Sequence, residues 1–214
     1  MIANIPLFSG LNESELAQVS QHAVTRTYPK STVIINEGDT AESLYVILKG
    51  KVKVFLTDET GKEVVINSQG PGEYFGEVAL IDDAQRSASV MTLEPSSFSV
   101  ISKHSFRELL SKNPNIALSV IRDLTQRVRV LTENVKSLAL LDVYGRVAKT
   151  LLSMASEQDG RLLIEEKLTQ QDIANRVGAS REMVSRILKD LTAGGYIQME
   201  DKHIVINERL PKHY

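Results

Sequence analysis

The amino-acid sequence predicts an α+β protein with a β-rich first part, one long helix and a small helical domain towards the C-terminus. Three patterns predict it: short alternating runs between glycine turns, apolar residues at heptad spacing, and two helical segments around a glycine. We place the boundaries at 1–112, 113–139 and 140–214. A chain of 214 residues with 42% hydrophobic residues can bury the cores that this division requires.

The first part reads as a short helix followed by many short strands. Asn12 with Glu15 three residues later predicts a capped helix that ends near Ala23. Alternating runs typical of strands then follow, separated by glycine-containing turns, at 32–35, 44–48, 51–56, 63–67, 89–92 and 98–101. Regular short strands with glycine corners predict a β-roll, similar to a jelly roll or double-stranded β-helix.

The middle of the chain predicts a long helix, for which Pro114 suits the first turn. Its apolar residues recur at alternating steps of four and three, which favours a paired coiled coil and therefore a homodimer. The alternative is a helix packed on its own domain. The predicted dimer interface contains Ile121, Leu124, Val128, Leu131, Val135 and Leu138. Asp142 interrupts this pattern and can cap a new helix, so we predict a hinge there.

The segment 170–191 has the pattern of a helix-turn-helix. Ala174 is small where two helices must touch, and Gly178 supplies the turn. The second helix has a predicted core face of Met183, Val184, Ile187, Leu188 and Leu191. Its outer face carries side chains that can reach base edges in a major groove, namely Arg181, Glu182, Ser185, Arg186 and Lys189. Two short strands, 196–199 and 204–206, follow it and predict a winged helix-turn-helix.

A second candidate site lies in the segment 75–90, which reads FGEVALIDDAQRSASV. Gly76 allows the backbone to approach a ligand, and Glu77 can accept a hydrogen bond from a ribose hydroxyl. Arg86 offers a two-pronged donor to a phosphodiester, and Ser87 adds a hydroxyl. These residue types predict a phosphate-and-sugar site. The alternative is an Arg–Glu ion pair that braces a loop.

Together these segments resemble the catabolite activator/fumarate–nitrate regulator (CRP/FNR) family of bacterial transcription factors, most closely its cyclic-AMP receptor branch. The resemblance runs through PLFSGLNESEL, YPKSTVIINEGD, LYVILKGKVKV, FGEVAL with RSA, LLDVYGRVAKTLL and ASREMVSRILKDL. It implies a cyclic-nucleotide-binding β-roll, a dimerisation helix and a winged helix-turn-helix on double-stranded DNA. It also implies cyclic AMP or a related cyclic nucleotide as the effector.

Carried over by this resemblance, Gly76, Glu77, Arg86 and Ser87 match the family's ribose–phosphate motif. Eight residues separate Glu77 from Arg86, one fewer than in the receptor branch. Leu131 and Thr132 stand where that branch has a Thr-Ser pair against the purine. Thr132 keeps a hydroxyl for the base and Leu131 does not. Cyclic GMP, a cyclic dinucleotide, another anion or constitutive DNA binding therefore remain alternatives to cyclic AMP.

The resemblance also assigns the DNA contacts. Arg181, Glu182 and Arg186 match the family's base-reading trio, which implies an inverted repeat with TGTGA-like half-sites. Arginine suits the guanine edge and glutamate suits the cytosine amine. Ser180 can cap the recognition helix and touch phosphate. Further candidates for phosphate contacts are Thr169, Gln170 and Arg176.

The net charge of the chain does not favour general attraction to DNA. The net charge is −2, and residues 139–214 contain 11 Lys+Arg against 11 Asp+Glu, a balance of zero. Specific contacts and dimerisation must therefore supply the affinity. RNA polymerase is a further candidate partner, but the loop at 156–161 is shorter than in the receptor branch, so no polymerase contact is carried over.

The residue types and motifs that the sequence lacks reduce the number of possible functions. The chain has no cysteine, which excludes disulfides, thiolate catalysis and cysteine-held iron–sulfur clusters. We expect no metal or haem, no catalytic residues, no membrane span and no secretory signal, hence a cytoplasmic protein. An enzyme acting on cyclic nucleotides is disfavoured because the sequence shows no nucleophile–base pair, metal cluster or Walker loop.

Overall fold

The computed structural model describes residues 5–8, 11–158, 161–200, 203–207 and 210. It confirms the predicted α+β class, with a β-sheet domain, a long helix and a helix-turn-helix domain. The chain forms two compact units, Met1–Asp58 with Val65–Arg129 and Glu59–Val64 with Val130–Tyr214.

Most of the β-strands and four helical segments belong to the β-roll. After a 3-10 turn at Pro6–Phe8, its helices are α1 (Glu13–His22), α2 (Val78–Ile81) and α3 (Lys103–Lys112). Its strands are β1 (Ala23–Tyr28), β2 (Val33–Ile35), β3 (Ser43–Lys49), β4 (Val52–Thr57), β5 (Glu63–Gln69), β6 (Tyr74–Phe75), β7 (Ser89–Thr92) and β8 (Ser96–Ser102). They form two four-stranded sheets, in the orders β1-β8-β3-β6 and β2-β7-β4-β5.

One of the two core clusters of the roll joins these sheets and contains Phe75 of β6, next to the candidate ligand site. Tyr45 on β3 pairs with Phe75 on β6, and their rings stack at 5.1 Å between centroids. Phe98, which is fully buried, meets Phe75 edge-on at 5.5 Å. This packing fixes the strand that leads directly into Gly76 and Glu77.

Local capping confirms the predicted helix starts. Asn12 and Glu15 form the reciprocal capping box of α1, and the Asp142 carboxylate accepts a hydrogen bond from Gly145 N at 2.7 Å. The long helix α4 runs from Pro114 to Leu140. Ile116 and Val120 are buried against the first unit's core, so the first turns of α4 belong to that core.

The second unit contains the helix-turn-helix and a four-stranded sheet. Its elements after α4 are α5 (Val143–Met154), β9 (Ser156–Gln158), β10 (Arg161–Ile164), α6 (Gln170–Val177), α7 (Arg181–Ala193), β11 (Ile197–Glu200) and β12 (His203–Ile206). The sheet has the order β11-β12-β10-β9. Among the described residues, none of the helices is long and apolar enough to cross a membrane.

The fold differs from the sequence predictions at β1, at 156–161 and at Met183, and β6 and α2 were not predicted either. Strand β1 was not predicted, because four consecutive residues in it are exposed and no alternation marks it. A loop was expected at 156–161, but β9 and β10 pair there as an antiparallel hairpin, with 159–160 outside the described residues. Met183, assigned to the core face of α7, keeps 39% of its surface exposed and lies at the edge of that face.

Candidate ligand site and nucleic-acid interface

The structure brings Gly76 and Arg86 into direct contact. Arg86 Nη1 donates to Gly76 O at 2.7 Å, and Nη2 donates to Ser43 O at 2.7 Å. Burial leaves only 6% of Arg86 exposed. A guanidinium has five N–H donors, so these two bonds fix its plane and leave others for an anion. The sequence did not identify Ser43.

Glu77 lies at the start of α2 and is almost completely buried. Burial raises the pKa of its carboxyl above the ordinary value, although the Arg127 guanidinium opposes the shift. Glu77 Oε2 has no hydrogen-bond partner among the described residues. A buried acceptor without a donor is costly, so this oxygen is suited to accept from a ligand hydroxyl such as that of a ribose.

The predicted alternative, an Arg86–Glu77 ion pair, is replaced by a different pair. Arg127 Nη1 on α4 lies 2.5 Å from Glu77 Oε1, and its Nη2 donates to Tyr74 O at 2.9 Å. Sequence reasoning missed Arg127 because the contact spans 50 residues. The signal that could have found it is helical spacing, since Asp123 and Arg127 continue the stripe of Ile116 and Val120.

Asp123 completes the attachment of α4 to this site. Tyr74 Oη donates to Asp123 Oδ2 at 2.9 Å. Burial, and then this hydrogen bond to a carboxylate, raise the pKa of the Tyr74 phenol, which therefore stays protonated at neutral pH. Two side chains of α4 thus hold Tyr74 and Glu77.

The remaining predicted ligand residues differ in position. Ser87 is exposed directly after Arg86. Leu131 and Thr132 are exposed on α4 in the second compact unit, and their contact with the purine stays a prediction. Among the described residues, no three His, Asp or Glu side chains come close enough together to hold a metal ion.

Gly76→Ala should abolish ligand binding at this site. Gly76 has φ +87°, and a Cβ there would lie 2.6 Å from Arg86 Nη1 and 3.2 Å from Ser43 O. The clash must displace the guanidinium, in addition to backbone strain of about 1–2 kcal/mol for a Cβ in the left-handed region. Gly61→Ala is the matched control, because Gly61 has φ +81° with nothing within 4 Å of its Cβ. Calorimetry with cyclic AMP on both variants checks this; equal affinities would contradict it.

The predicted dimer face of α4 is mostly exposed. Leu124 is the exception, since it is partly buried against the core of its own unit, as the alternative reading expected. The other positions keep between 43% and 65% of their surface exposed: Ile121, Val128, Leu131, Val135 and Leu138. A heptad row of large exposed apolar side chains is a surface that a partner helix can cover.

The helix-turn-helix forms as predicted. Ala174 is fully buried between the helices, and Gly178 ends α6 in the left-handed conformation at φ +65°. Val184, Ile187 and Leu191 anchor α7 in the core. The outer face exposes Arg181, Glu182, Arg186 and Lys189, with Ser185 half-buried. These side chains stand on a rigid helix, which is the arrangement that base reading needs.

The predicted phosphate contacts are engaged to different degrees. The Ser180 hydroxyl accepts from Met183 N at 3.2 Å and caps α7. Thr169 forms a capping box with Asp172, and Gln170 begins α6 half-buried. Arg176 instead pairs with Glu166 at 2.7 Å, which engages its guanidinium within the domain.

The predicted hinge has a connection that the sequence did not reveal. Arg146 Nε donates to Val177 O at 2.9 Å, and its Nη1 donates to Leu141 O at 3.0 Å. One side chain therefore joins Leu141, the residue directly after α4, to the last residue of α6, directly before Gly178. The hinge role of Asp142 stays a prediction.

Known proteins carry the same combination of domains. Residues 25–113 match the cyclic nucleotide-binding domain, and residues 145–209 match the Crp-like helix-turn-helix domain. The cAMP-activated global transcriptional regulator CRP of Salmonella typhimurium is 38% identical over 189 residues, which cover 86% of this chain and 90% of that protein. The chain belongs to the CRP/FNR family of transcription regulators. It is therefore a DNA-binding regulator with a cyclic-nucleotide-binding domain and not an enzyme.

Other members of the CRP/FNR family match over nearly the full length. The CRP-like cAMP-activated global transcriptional regulator of Mycobacterium tuberculosis is 31% identical, covering 97% of this chain and 95% of its own. The c-di-GMP responsive global regulator CLP of Xanthomonas campestris has a TM-score of 0.81 at 28% identity, covering 92% of this chain and 100% of its own. The catabolite activator protein of Thermus thermophilus has a TM-score of 0.57 at 29% identity, covering 95% and 94%.

Proposed function

We propose that this regulator is a homodimer that binds an inverted repeat with TGTGA-like half-sites when a cyclic nucleotide, in the first place cyclic AMP, occupies the Glu77–Arg86 site. The observation that carries the effector assignment is the buried Glu77 Oε2, which has no donor among the described residues. The residue before it, Gly76, accepts a hydrogen bond from the buried Arg86 guanidinium. Glu77 can accept from a ribose hydroxyl and Arg86 can donate to a phosphate, so the pair suits a cyclic ribose phosphate. The names of the Salmonella and Mycobacterium relatives support cyclic AMP.

The proposed site residues divide by role. Gly76, Glu77, Arg86 and Ser87 hold the ribose phosphate, and Thr132 beside Leu131 faces the base. Arg181, Glu182 and Arg186 read bases; the proposed backbone contacts are Ser180, Ser185, Lys189, Thr169 and Gln170. We place the protein in the cytoplasm, divided into domains at 1–112, 113–139 and 140–214, with RNA polymerase as a further partner.

The switch requires an energetic difference between two states. The effector controls DNA binding only if it binds the DNA-competent arrangement more tightly than the other, because equal affinity shifts no equilibrium. Arg127 gives the effector a route to α4, since this helix residue pairs with Glu77. Ligand contact with Glu77 would change that pair and bias the helix that carries the dimer face and leads to Asp142.

Titration calorimetry with cyclic AMP, followed by a mobility-shift assay on a TGTGA palindrome, tests this function. We expect a saturable heat and DNA affinity at least about tenfold tighter with the nucleotide, which corresponds to about 1.4 kcal/mol of coupling. A scrambled palindrome is the control. Absence of heat together with DNA affinity unchanged by the nucleotide would reject the proposal.

A second candidate is a regulator gated by another cyclic nucleotide. Leu131 removes a hydroxyl that the receptor branch presents to the purine, and the Xanthomonas structure belongs to a c-di-GMP responsive regulator. Cyclic GMP and c-di-GMP titrated beside cyclic AMP distinguish these effectors. Tight palindrome binding by protein stripped of nucleotide would instead indicate a constitutive regulator.

Val128→Glu should convert the protein to monomers and weaken palindrome binding. Val128 is 61% exposed in the heptad row, and two-fold symmetry would place two carboxylates together at the seam. Val24→Glu is the control, because Val24 is 59% exposed and lies on β1, outside the heptad row. Sedimentation should give a dimer for wild type and Val24→Glu and a monomer for Val128→Glu. A dimeric Val128→Glu would contradict the assigned face.

A further inference from the structure

Side chains of helix α3 contact the segment between Glu77 and Arg86. Its two ends carry the proposed ribose and phosphate contacts, and α2 fills its first half. Arg107 on α3 donates from Nε to Leu80 O at 2.8 Å, near the end of α2. The carbonyls at a helix end lack partners within the helix, so this donor stabilises the point where the chain leaves α2.

Asp83 connects the middle of the segment to the same helix. Its Oδ1 lies 2.7 Å from Lys103 Nζ, and its Oδ2 lies 2.7 Å from Arg107 Nη2. These two hydrogen bonds hold the pKa of Asp83 at about 2, so the carboxylate stays ionised at neutral pH. Lys103 and Arg107 are one turn apart at the start of α3, where a nearby anion is also favoured by the helix dipole.

The backbone of Asp83 is strained in a way that needs such support. Its φ is +60°, and in the described part of the chain Ser31 is the only other non-glycine residue with positive φ. Left-handed backbone at a non-glycine residue persists where the surroundings determine it, and it is enriched at ligand clamps. The two ion pairs of Asp83 are contacts that can support this conformation.

The ends of the segment have separate attachments. Arg86 N donates to Asp39 O at 2.9 Å, and Gly38 N donates to Arg86 O at 2.8 Å. Glu77 is attached to α4 through Arg127. A single residue, Asn113, joins α3 to α4, so one pair of consecutive helices holds both Glu77 and the middle of the segment.

We propose that Asp83, Lys103 and Arg107 form a positioning cluster that sets the relative placement of Glu77 and Arg86 and thereby the affinity for the effector. The inference rests on the proposed function, since the effector site is the one proposed above. The three side chains act through the segment 80–86, so they are positioning residues and not ligand contacts.

The expected loss of effector affinity depends on how exposed the three side chains are. The side chains of Asp83, Lys103 and Arg107 are 60%, 30% and 41% exposed, and single exposed ion pairs stabilise proteins only slightly. Here one carboxylate joins two cations and also holds a strained backbone. We therefore expect its removal to weaken cyclic AMP binding by about fivefold to tenfold while the fold is retained.

Asp83→Asn tests the cluster in the full-length protein. Asparagine tolerates the left-handed conformation, so the variant removes the charge and keeps the local backbone. Asp82→Asn is the matched control, because it removes the same charge one residue away, where Asp82 Oδ1 accepts from Ala84 N at 3.1 Å and not from a side chain of α3. Hydrogen exchange of ligand-free protein should become faster at 80–86 in Asp83→Asn alone.

Calorimetry with cyclic AMP completes the test. Asp83→Asn should bind about fivefold to tenfold more weakly than Asp82→Asn, and high salt should remove the difference, because salt screens exposed ion pairs. Equal exchange in both variants would overturn the positioning role, and faster exchange with unchanged affinity would overturn its link to the effector. Wild-type protein without any heat would reject the effector assignment instead, while the exchange comparison would still decide whether the cluster orders the segment.

Discussion

Arg86→Gln should lower the affinity for cyclic AMP by at least about 100-fold, equivalent to about 3 kcal/mol. The guanidinium is buried and oriented by Gly76 O and Ser43 O, so it can meet a phosphodiester without reorganising. Glutamine keeps a polar side chain but removes the charge. The phosphodiester of the ligand would then have no cation beside it, while the buried carboxylate of Glu77 remained in the same site. Calorimetry with cyclic AMP measures the loss.

Loss of ligand binding must be separated from loss of structure in this variant. Lys30→Gln, which removes an exposed cation elsewhere on the β-roll, should bind like wild type. Melting temperatures with and without nucleotide give the second readout, because a ligand that binds the native state raises them. We expect Arg86→Gln to melt somewhat lower and to gain nothing from cyclic AMP. If cyclic AMP raised the melting temperature of Arg86→Gln as much as that of wild type, Arg86 would not be the anion contact.

Sequence could predict the parts of this molecule whose causes are local. Asn12, Asp142, Thr169 and Ser180 each cap a helix within three residues of themselves, so their roles are readable from spacing. Gly178 is similar, since a left-handed turn between two short helices requires glycine. The order of elements and the helix-turn-helix follow from such signals.

What the sequence could not predict depends on contacts between distant residues. Arg127 reaches Glu77 across 50 positions, and no local pattern announces this pair. Strand β1 exists because it pairs with β8, more than 60 residues further on, while its own residues lack alternation. The heptad row on α4 predicted a dimer face, which stays a prediction, and at Leu124 the core of the same unit competes for the side chain.

Charge balance makes the DNA interface depend on few side chains. The zero balance over 139–214 means that general attraction to phosphate is weak, so removal of a single base contact should be costly. In the part of the chain that the structure describes, Arg176 is already engaged by Glu166. Arg181 and Arg186 are exposed on α7 and are the arginines that we propose to read bases.

Arg186→Ala should weaken binding to a TGTGA palindrome by at least about 30-fold. A bidentate arginine–guanine contact contributes about 1–3 kcal/mol of discrimination, and a symmetric dimer loses two of them. Arg186 lies outside the core of α7, between Val184 and Ile187, which are buried, so the substitution leaves the helix packed. The variant should also lose discrimination at one half-site position, so that replacing the guanine there no longer weakens binding. Fluorescence anisotropy on the palindrome and on singly substituted sites measures both effects.

Lys189→Ala distinguishes base reading from phosphate attraction on the same exposed face of α7. Loss of a phosphate contact lowers affinity for all sequences alike and makes the salt dependence shallower by about one phosphate per subunit. Arg186→Ala should instead change the ranking of sequences. If Arg186→Ala weakened palindrome and scrambled DNA equally, its role would be electrostatic, and specificity would have to come from Arg181, Glu182 or the shape of the DNA.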